Sequence, residues 1–225
     1  MNRSITPLAL LIAGTGILAT VLWIGLQRSQ SPPQLDLPGV QILETPVTLP
    51  DVELVDHRNE PFTPRRFAGR WTLGFFGYTH CPDVCPTTLA VLRHTLERFS
   101  DASTGAPRVQ AVFFTVDPFR DTPAILRDRV NSLGGKMIAV TGRPAHVRRL
   151  AEALNVYYDY EDPAGERIFR NVTEPPPVDD YLVNHYASVL LIDPRGRLVA
   201  DIAPPHPPDR IVAVLDAFID TDDSK

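Results

Sequence analysis

The only two cysteines of this 225-residue chain stand at Cys81 and Cys85, in the run Gly77-Tyr78-Thr79-His80-Cys81-Pro82-Asp83-Val84-Cys85-Pro86. Pro86 suits the first position of a helix, where its missing N–H is not needed. That places Cys85 at the helix cap and Cys81 in the loop before it. Helix N-termini carry unpaired N–H groups and a partial positive charge, which favour thiolates over thiols. Both sulfurs are therefore candidates for redox chemistry or metal binding. A buried apolar role fits poorly with polar neighbours at a helix mouth. A structural staple across so short a loop would contribute only about 2 kcal/mol in the chain-entropy picture.

A redox pair is a serious reading, but the spacing is Cys-x-x-x-Cys, wider than Cys-x-x-Cys, and leaves room for an ion between the sulfurs. Soft thiolates select Cu(I), zinc or iron–sulfur clusters, and two of them need a further donor. Two cysteines are too few for a four-thiolate zinc site. An imidazole would complete a three-coordinate site, and six are available: His57, His80, His94, His146, His185 and His206. His80 adjoins Cys81 but reads more simply as a solvated loop residue. His94 and His146 fall on predicted helix surfaces, and His57 on a turn. His206, inside Pro204-Pro205-His206-Pro207-Pro208, reaches a metal only if its loop folds back. Residue types and spacing leave the choice of imidazole open.

The elements that must hold such a pair are readable around it. Trp71–Gly77 (WTLGFFG) is an apolar run short enough for a buried strand. Pro86 to Phe99 repeats Leu89, Leu92 and Leu96 at helical spacing. Further strands are predicted at Val52–Asp56, Val109–Val116 and Met137–Thr141, and helices at Thr122–Leu133, Pro144–Leu154 and Pro208–Phe218. Tyr186–Asp193 and Leu198–Ile202 flank Pro194-Arg195-Gly196 as a hairpin. This alternation predicts an α/β domain with a mixed central sheet and helices on both faces. A first helix entered from a strand through a cysteine pair is the thioredoxin-like arrangement.

Composition narrows the alternatives. With 44% hydrophobic and 22% charged residues the chain is not disordered throughout. A net charge of -5 without a long basic run excludes nucleic acid as an expected partner. The 23 prolines, about twice the usual share, argue for stiff turns and against a helical bundle. Leu8 to Leu26 is free of charge and bracketed by Arg3 and Arg28, close to the roughly 20 residues a spanning helix needs. It reads as an uncleaved anchor rather than a cleaved signal, because no small-residue cleavage site follows. Residues 1–28 are thus expected to be a membrane anchor, 29–46 a proline-rich tether and 47–225 the folded domain. The lack of an Arg- and Ser-rich leader favours a bacterial inner membrane, crossed once, with the domain in the periplasm.

The run Gly77–Leu89 (GYTHCPDVCPTTL) resembles the signature of the Sco/SenC family of membrane-anchored copper proteins. Thr115-Val116-Asp117-Pro118-Phe119-Arg120-Asp121-Thr122-Pro123 resembles that family's VDPxRDTP segment. Val156-Tyr157-Tyr158 and Asp180-Tyr181-Leu182-Val183-Asn184-His185 resemble its VYY and DYxVDH stretches. The likeness runs from about Val47 to Phe218. It implies a thioredoxin-like fold, a role in assembling the copper site of cytochrome c oxidase, and copper held by Cys81, Cys85 and His185. Asn184 stands where the family has Asp, which removes a carboxylate beside the implied ligand. Tyr186 replaces a smaller residue and is expected to crowd the site. Asp117, Arg120 and Asp121 match family positions and read as a loop salt-bridge network.

Two functions follow from these residues. One is a metallochaperone that passes copper by ligand exchange to the acceptor subunit of cytochrome c oxidase. The alternative is a thiol–disulfide oxidoreductase that keeps the acceptor's cysteines reduced through Cys81 and Cys85. Either implies a reducing thioredoxin-like partner in an oxidising compartment. Peroxide reduction is a weaker third reading, since nothing here demands it.

Overall fold

The computed structural model describes residues 33, 35–99, 108–169, 173–177 and 179–223. In chain order these form β1 (Val40–Thr48), β2 (Leu54–Asp56), β3 (Pro61–Phe62), β4 (Trp71–Gly77), α1 (Val84–Arg98), β5 (Val109–Thr115), α2 (Pro123–Ser132), β6 (Ile138–Gly142), α3 (Pro144–Ala153), β7 (Tyr158–Glu161), β8 (Arg167–Phe169), β9 (Leu182–His185), β10 (Val189–Ile192), β11 (Arg197–Ile202) and α4 (Pro208–Asp223). The main sheet has the order β1-β11-β10-β4-β5-β6-β2-β3. Its centre, β4-β5-β6, is parallel, and the strands outside it pair antiparallel. A second sheet, β8-β7-β9, stands apart.

Every residue of β4 and β5 is buried, as expected of apolar strands covered on both faces. On one face Trp71, Leu73 and Phe75 meet α1 through Leu89, Leu92 and Leu96, α2 through Leu126 and Val130, and α4 through Ile211, Val214 and Leu215. On the other, Phe76, Val112 and Phe114 lie under α3, through Val147 and Leu150, and under the second sheet, through Tyr158, Tyr160 and Val183. The mixed central sheet with helices on both faces is as read from the sequence.

Several boundaries differ. Val40–Thr48, assigned to the tether up to residue 46, is an edge strand antiparallel to β11, with Val40 opposite Ile202 and Ile42 opposite Ala200. Its register shifts between Ile42 and Val47, the interval that contains Pro46. An edge strand tolerates proline there, and one largely exposed face gives it the composition of a linker. The folded domain therefore begins before Val47. Helix α1 starts two residues earlier than expected, with Asp83 at its N-cap. Pro86 still falls among the first four residues, whose N–H groups need no intrahelical partner. The strand expected at Tyr186–Asp193 is only Val189–Ile192, because residues 186–188 carry the chain from the second sheet into the first. Strands β7, β8 and β9 were not anticipated.

Among the described residues no helix is long and apolar enough to cross a membrane. The expected anchor at 1–28, with its Leu8–Leu26 span, lies outside the described residues.

Candidate metal centre

The site forms where β4 gives way to α1. Cys81 sits half-buried in the connecting loop, and Cys85 is buried in the first turn of the helix. Beneath it, Gly77 ends β4 with only a hydrogen facing the sulfur. A methyl group there would lie 2.8 Å from Cys85 Sγ and 2.8 Å from the Phe113 ring. The strand can pass this close to the helix mouth only without a side chain.

His185 reaches the same place by another route. It ends β9, paired with Tyr158 of β7, and the chain then crosses to β10. In β10, Val189 lies opposite Phe75. The short crossing from His185 to Val189 therefore keeps His185 beside the end of β4, where the cysteine loop begins, with its ring against those of Phe75 and Tyr78. The result is a cluster in which one donor atom each of Cys81, Cys85 and His185 lies within 4.8 Å of the others. His185 Nε2 stands 3.7 Å from Cys85 Sγ. Its Nε2 faces the sulfurs and its Nδ1 is 3.3 Å from the Tyr186 carbonyl, which can take the ring proton when Nε2 gives its lone pair to a metal. The edges of Phe75 and Tyr78, both with centroids 6.1 Å away, hold the ring.

The two sulfurs differ electrostatically. Cys81 is pushed down to about 3, chiefly because the Cys85 thiol donates to it. His185 and the backbone N–H groups of Cys85 and Asp83 add to the effect against an opposing cost of burial. Cys85 moves the opposite way, raised by its bond to the Cys81 thiolate and by burial. The pair thus holds one proton, on Cys85. A metal ion would displace that proton.

Two sulfurs and one imidazole, with no carboxylate in the group, form a soft donor set suited to Cu(I) or zinc. With metal–sulfur and metal–nitrogen bonds of about 2.3 and 2.0 Å, a 3.7 Å S···N edge subtends about 120°, the trigonal angle.

The other histidines are engaged elsewhere. His80 is exposed with Nδ1 3.2 Å from the Thr79 hydroxyl, outside the cluster. His94 is 70% exposed on α1. His146 accepts the Glu53 N–H at 2.9 Å, so it ties α3 to the chain before β2 instead of lying free on the surface. His57 follows β2 in a turn, and its ring accepts the Ala139 N–H. The loop carrying His206 folds inward but not to the sulfurs. His206 Nε2 lies 3.1 Å from the Ile202 carbonyl and Nδ1 3.4 Å from the Thr88 hydroxyl.

Neither departure from the family pattern disturbs the cluster. Asn184 points to the exposed side of β9, opposite to His185, and its amide donates to Glu161 at 3.2 Å. A carboxylate therefore remains close by on the neighbouring strand. Tyr186 is 43% exposed, with its N–H on the Tyr157 carbonyl, and does not crowd the site. The expected loop ion pair forms between Arg120 and Asp117. Asp121 takes no part in it and accepts hydrogen bonds from Thr79 and Thr115 instead. The contact to Thr79, 42 residues away, has no signature in local spacing.

Fold and site together define a thioredoxin-like domain with a helix-mouth dithiol completed by a distant imidazole. Residues 41–220 match the SCO1/SenC family model, and the chain belongs to that family. A protein of Stutzerimonas stutzeri named for copper binding is 34% identical over 188 residues, covering 84% of this chain and 85% of its own. The bovine mitochondrial protein SCO2 homolog is 34% identical over 146 residues, 65% of this chain; the match spans 50% of the bovine protein. The crystal structure of Arabidopsis thaliana ScoI with copper bound superposes with a TM-score of 0.62 at 28% identity, covering 75% of this chain and 96% of that one.

Proposed function

We propose that this protein is a copper metallochaperone that serves the copper site of cytochrome c oxidase. The carrying observation is the convergence of Cys81, Cys85 and His185 within 4.8 Å. Copper-bound relatives of the same fold support copper as the cargo. Uptake is balanced by one proton: Cu(I) joins the Cys81 thiolate, the Cys85 thiol and the His185 Nε2 lone pair, and the Cys85 proton leaves. Cys81, the less buried sulfur, is the ligand an incoming acceptor thiolate displaces first. Stepwise exchange then hands over the ion without releasing it to water. The proposed setting is the periplasmic face of a bacterial inner membrane, with residues 1–28 as a single-pass anchor.

The second reading rests on the same thiolate. Cys81 would attack an acceptor disulfide, and Cys85 would give up its proton and resolve the mixed disulfide. The acceptor gains two thiols, one proton coming from Cys85 and one from water, and the chain is left as a Cys81–Cys85 disulfide. A reducing thioredoxin-like partner must then restore the dithiol. The test is to mix the reduced chain carrying one Cu(I) with the metal-free, reduced copper domain of the oxidase. Copper is expected to move to the acceptor. A chain that retains no Cu(I), yet rapidly reduces the oxidised acceptor, would overturn the carrier reading in favour of the reductase.

A further inference from the structure

The donor cluster has two halves: Cys85 and His185 are 100 residues apart in sequence, one in the helix that follows β4 of the main sheet and the other at the end of β9 in the second sheet. Something must fix their separation, since a shift of about 1 Å is enough to spoil a metal site. The loop between β5 and α2 touches both halves through two consecutive residues.

Asp121 faces the cysteine half. It is fully buried, and its carboxylate accepts the Thr79 N–H at 3.0 Å, the Thr115 hydroxyl at 2.6 Å and the Thr79 hydroxyl. Arg129 of α2 donates to the Thr79 carbonyl. Thr79, two residues before Cys81, is therefore bound at its N–H, carbonyl and hydroxyl by the segment from residue 115 to 129. Arg120 faces the histidine half. Its Nη1 donates to the Tyr181 carbonyl at 3.0 Å, and its guanidinium carbon lies 3.6 Å from the Tyr181 ring centroid. Tyr181 immediately precedes β9, the strand that ends in His185. Its hydroxyl donates to Asp117 Oδ1 at 2.7 Å, and the other oxygen of that buried carboxylate takes the Arg120 Nε–H. Arg120 also stands 5.9 Å from the Tyr78 ring centroid. That ring packs edge-on against His185, and its hydroxyl is hydrogen-bonded to the Val183 backbone.

We propose that Arg120 and Asp121 act as a bracket, one arm holding the His185 strand and the other the Cys81 loop at the spacing the three donors need. Both are positioning residues: neither touches a donor atom. A buried ion pair such as Asp117–Arg120 contributes little net stability compared with apolar packing, but it fixes direction. The planar fork of arginine lets one side chain stack on a ring, pair with a carboxylate and bond a carbonyl at once, which lysine cannot do. The proposal rests on the copper reading above, and its test separates the two.

The full chain, reduced, is compared as wild type, Arg120→Ala, Arg120→Lys and Asp121→Asn, with His185→Ala as reference. Cu(I) affinity is measured by competition with a chelator, and ligation by X-ray absorption. The metal-free proteins are followed by amide hydrogen exchange and thermal unfolding. The Arg120 variants are expected to lose about 10- to 100-fold in Cu(I) affinity, the usual cost of removing an outer support of a metal site. Their nitrogen contribution should weaken without falling to the level of His185→Ala, while both sulfurs stay. Without metal, exchange should quicken at Leu182–His185 in the Arg120 variants and at Thr79–Cys81 in Asp121→Asn, with β5 and α4 unchanged. The bracket is overturned if the variants keep wild-type affinity and nitrogen ligation. It is equally overturned if exchange quickens throughout the domain in step with a lower melting temperature, the mark of general destabilisation. A wild type that binds no Cu(I) would sink the copper reading, and the metal-free exchange pattern would still decide the bracket.

Discussion

His185→Ala is expected to lower Cu(I) affinity by more than about 100-fold, beyond the upper end for loss of an outer support. The imidazole supplies the nitrogen donor of the trio, and Ala leaves two sulfurs with no replacement among the described residues. His80, the imidazole nearest in sequence, is exposed and outside the cluster. The same substitution should slow dithiol–disulfide cycling only a few-fold. Cys81 owes its lowered pKa first to Cys85, and His185 is a lesser contributor. Chelator competition and a disulfide-reduction assay on one preparation check both halves. Equal losses in the two assays would mean that His185 serves the fold, not the metal.

The second large effect concerns Cys81 in the reduced, metal-free protein. An ordinary thiol with a pKa of about 8.5 is only about 0.1% ionised at pH 5.5, and its alkylation falls tenfold for each pH unit below 8. Cys81, held at about 3, stays a thiolate across that range. Its iodoacetamide labelling should therefore be nearly flat from pH 5.5 to 8. Over the same range the unfolded chain should slow by about 200-fold; at pH 5.5 the folded chain leads it only by about 2- to 6-fold, because the lower nucleophilicity of a low-pKa thiolate offsets most of its larger thiolate fraction. Cys85, buried and with its pKa raised, should remain unlabelled. Peptide mapping after timed labelling reads both rates. A tenfold loss per pH unit at Cys81 would contradict the shared-proton pair.

The parts of the fold that were legible in the sequence are those with a strong period. Trp71–Gly77 is a strand because an unbroken apolar run of that length needs cover on both faces. The helix after it shows its buried stripe at Leu89, Leu92 and Leu96. Exposed or short elements escaped: β1 carries Pro46 and one solvated face, and β7 to β9 are strands of only three or four residues that acquire meaning by pairing with one another. The site divides in the same way. Residue type and spacing were enough to single out Cys81 and Cys85. His185 came from family likeness alone, because its meeting with Cys85 depends on a change of sheet and on the β10–β4 register. Arg120 and Asp121 were read as a salt-bridge network. That holds for Arg120, but Asp121 turns to two threonines through a contact that no local pattern encodes.

The central claim is that one ion is gripped by two sulfurs and a remote imidazole. X-ray absorption of the Cu(I)-loaded wild type tests it most directly. Two sulfur scatterers and one nitrogen are expected, with the nitrogen lost in His185→Ala. Sulfur-only coordination in the wild type, unchanged by that substitution, would contradict it.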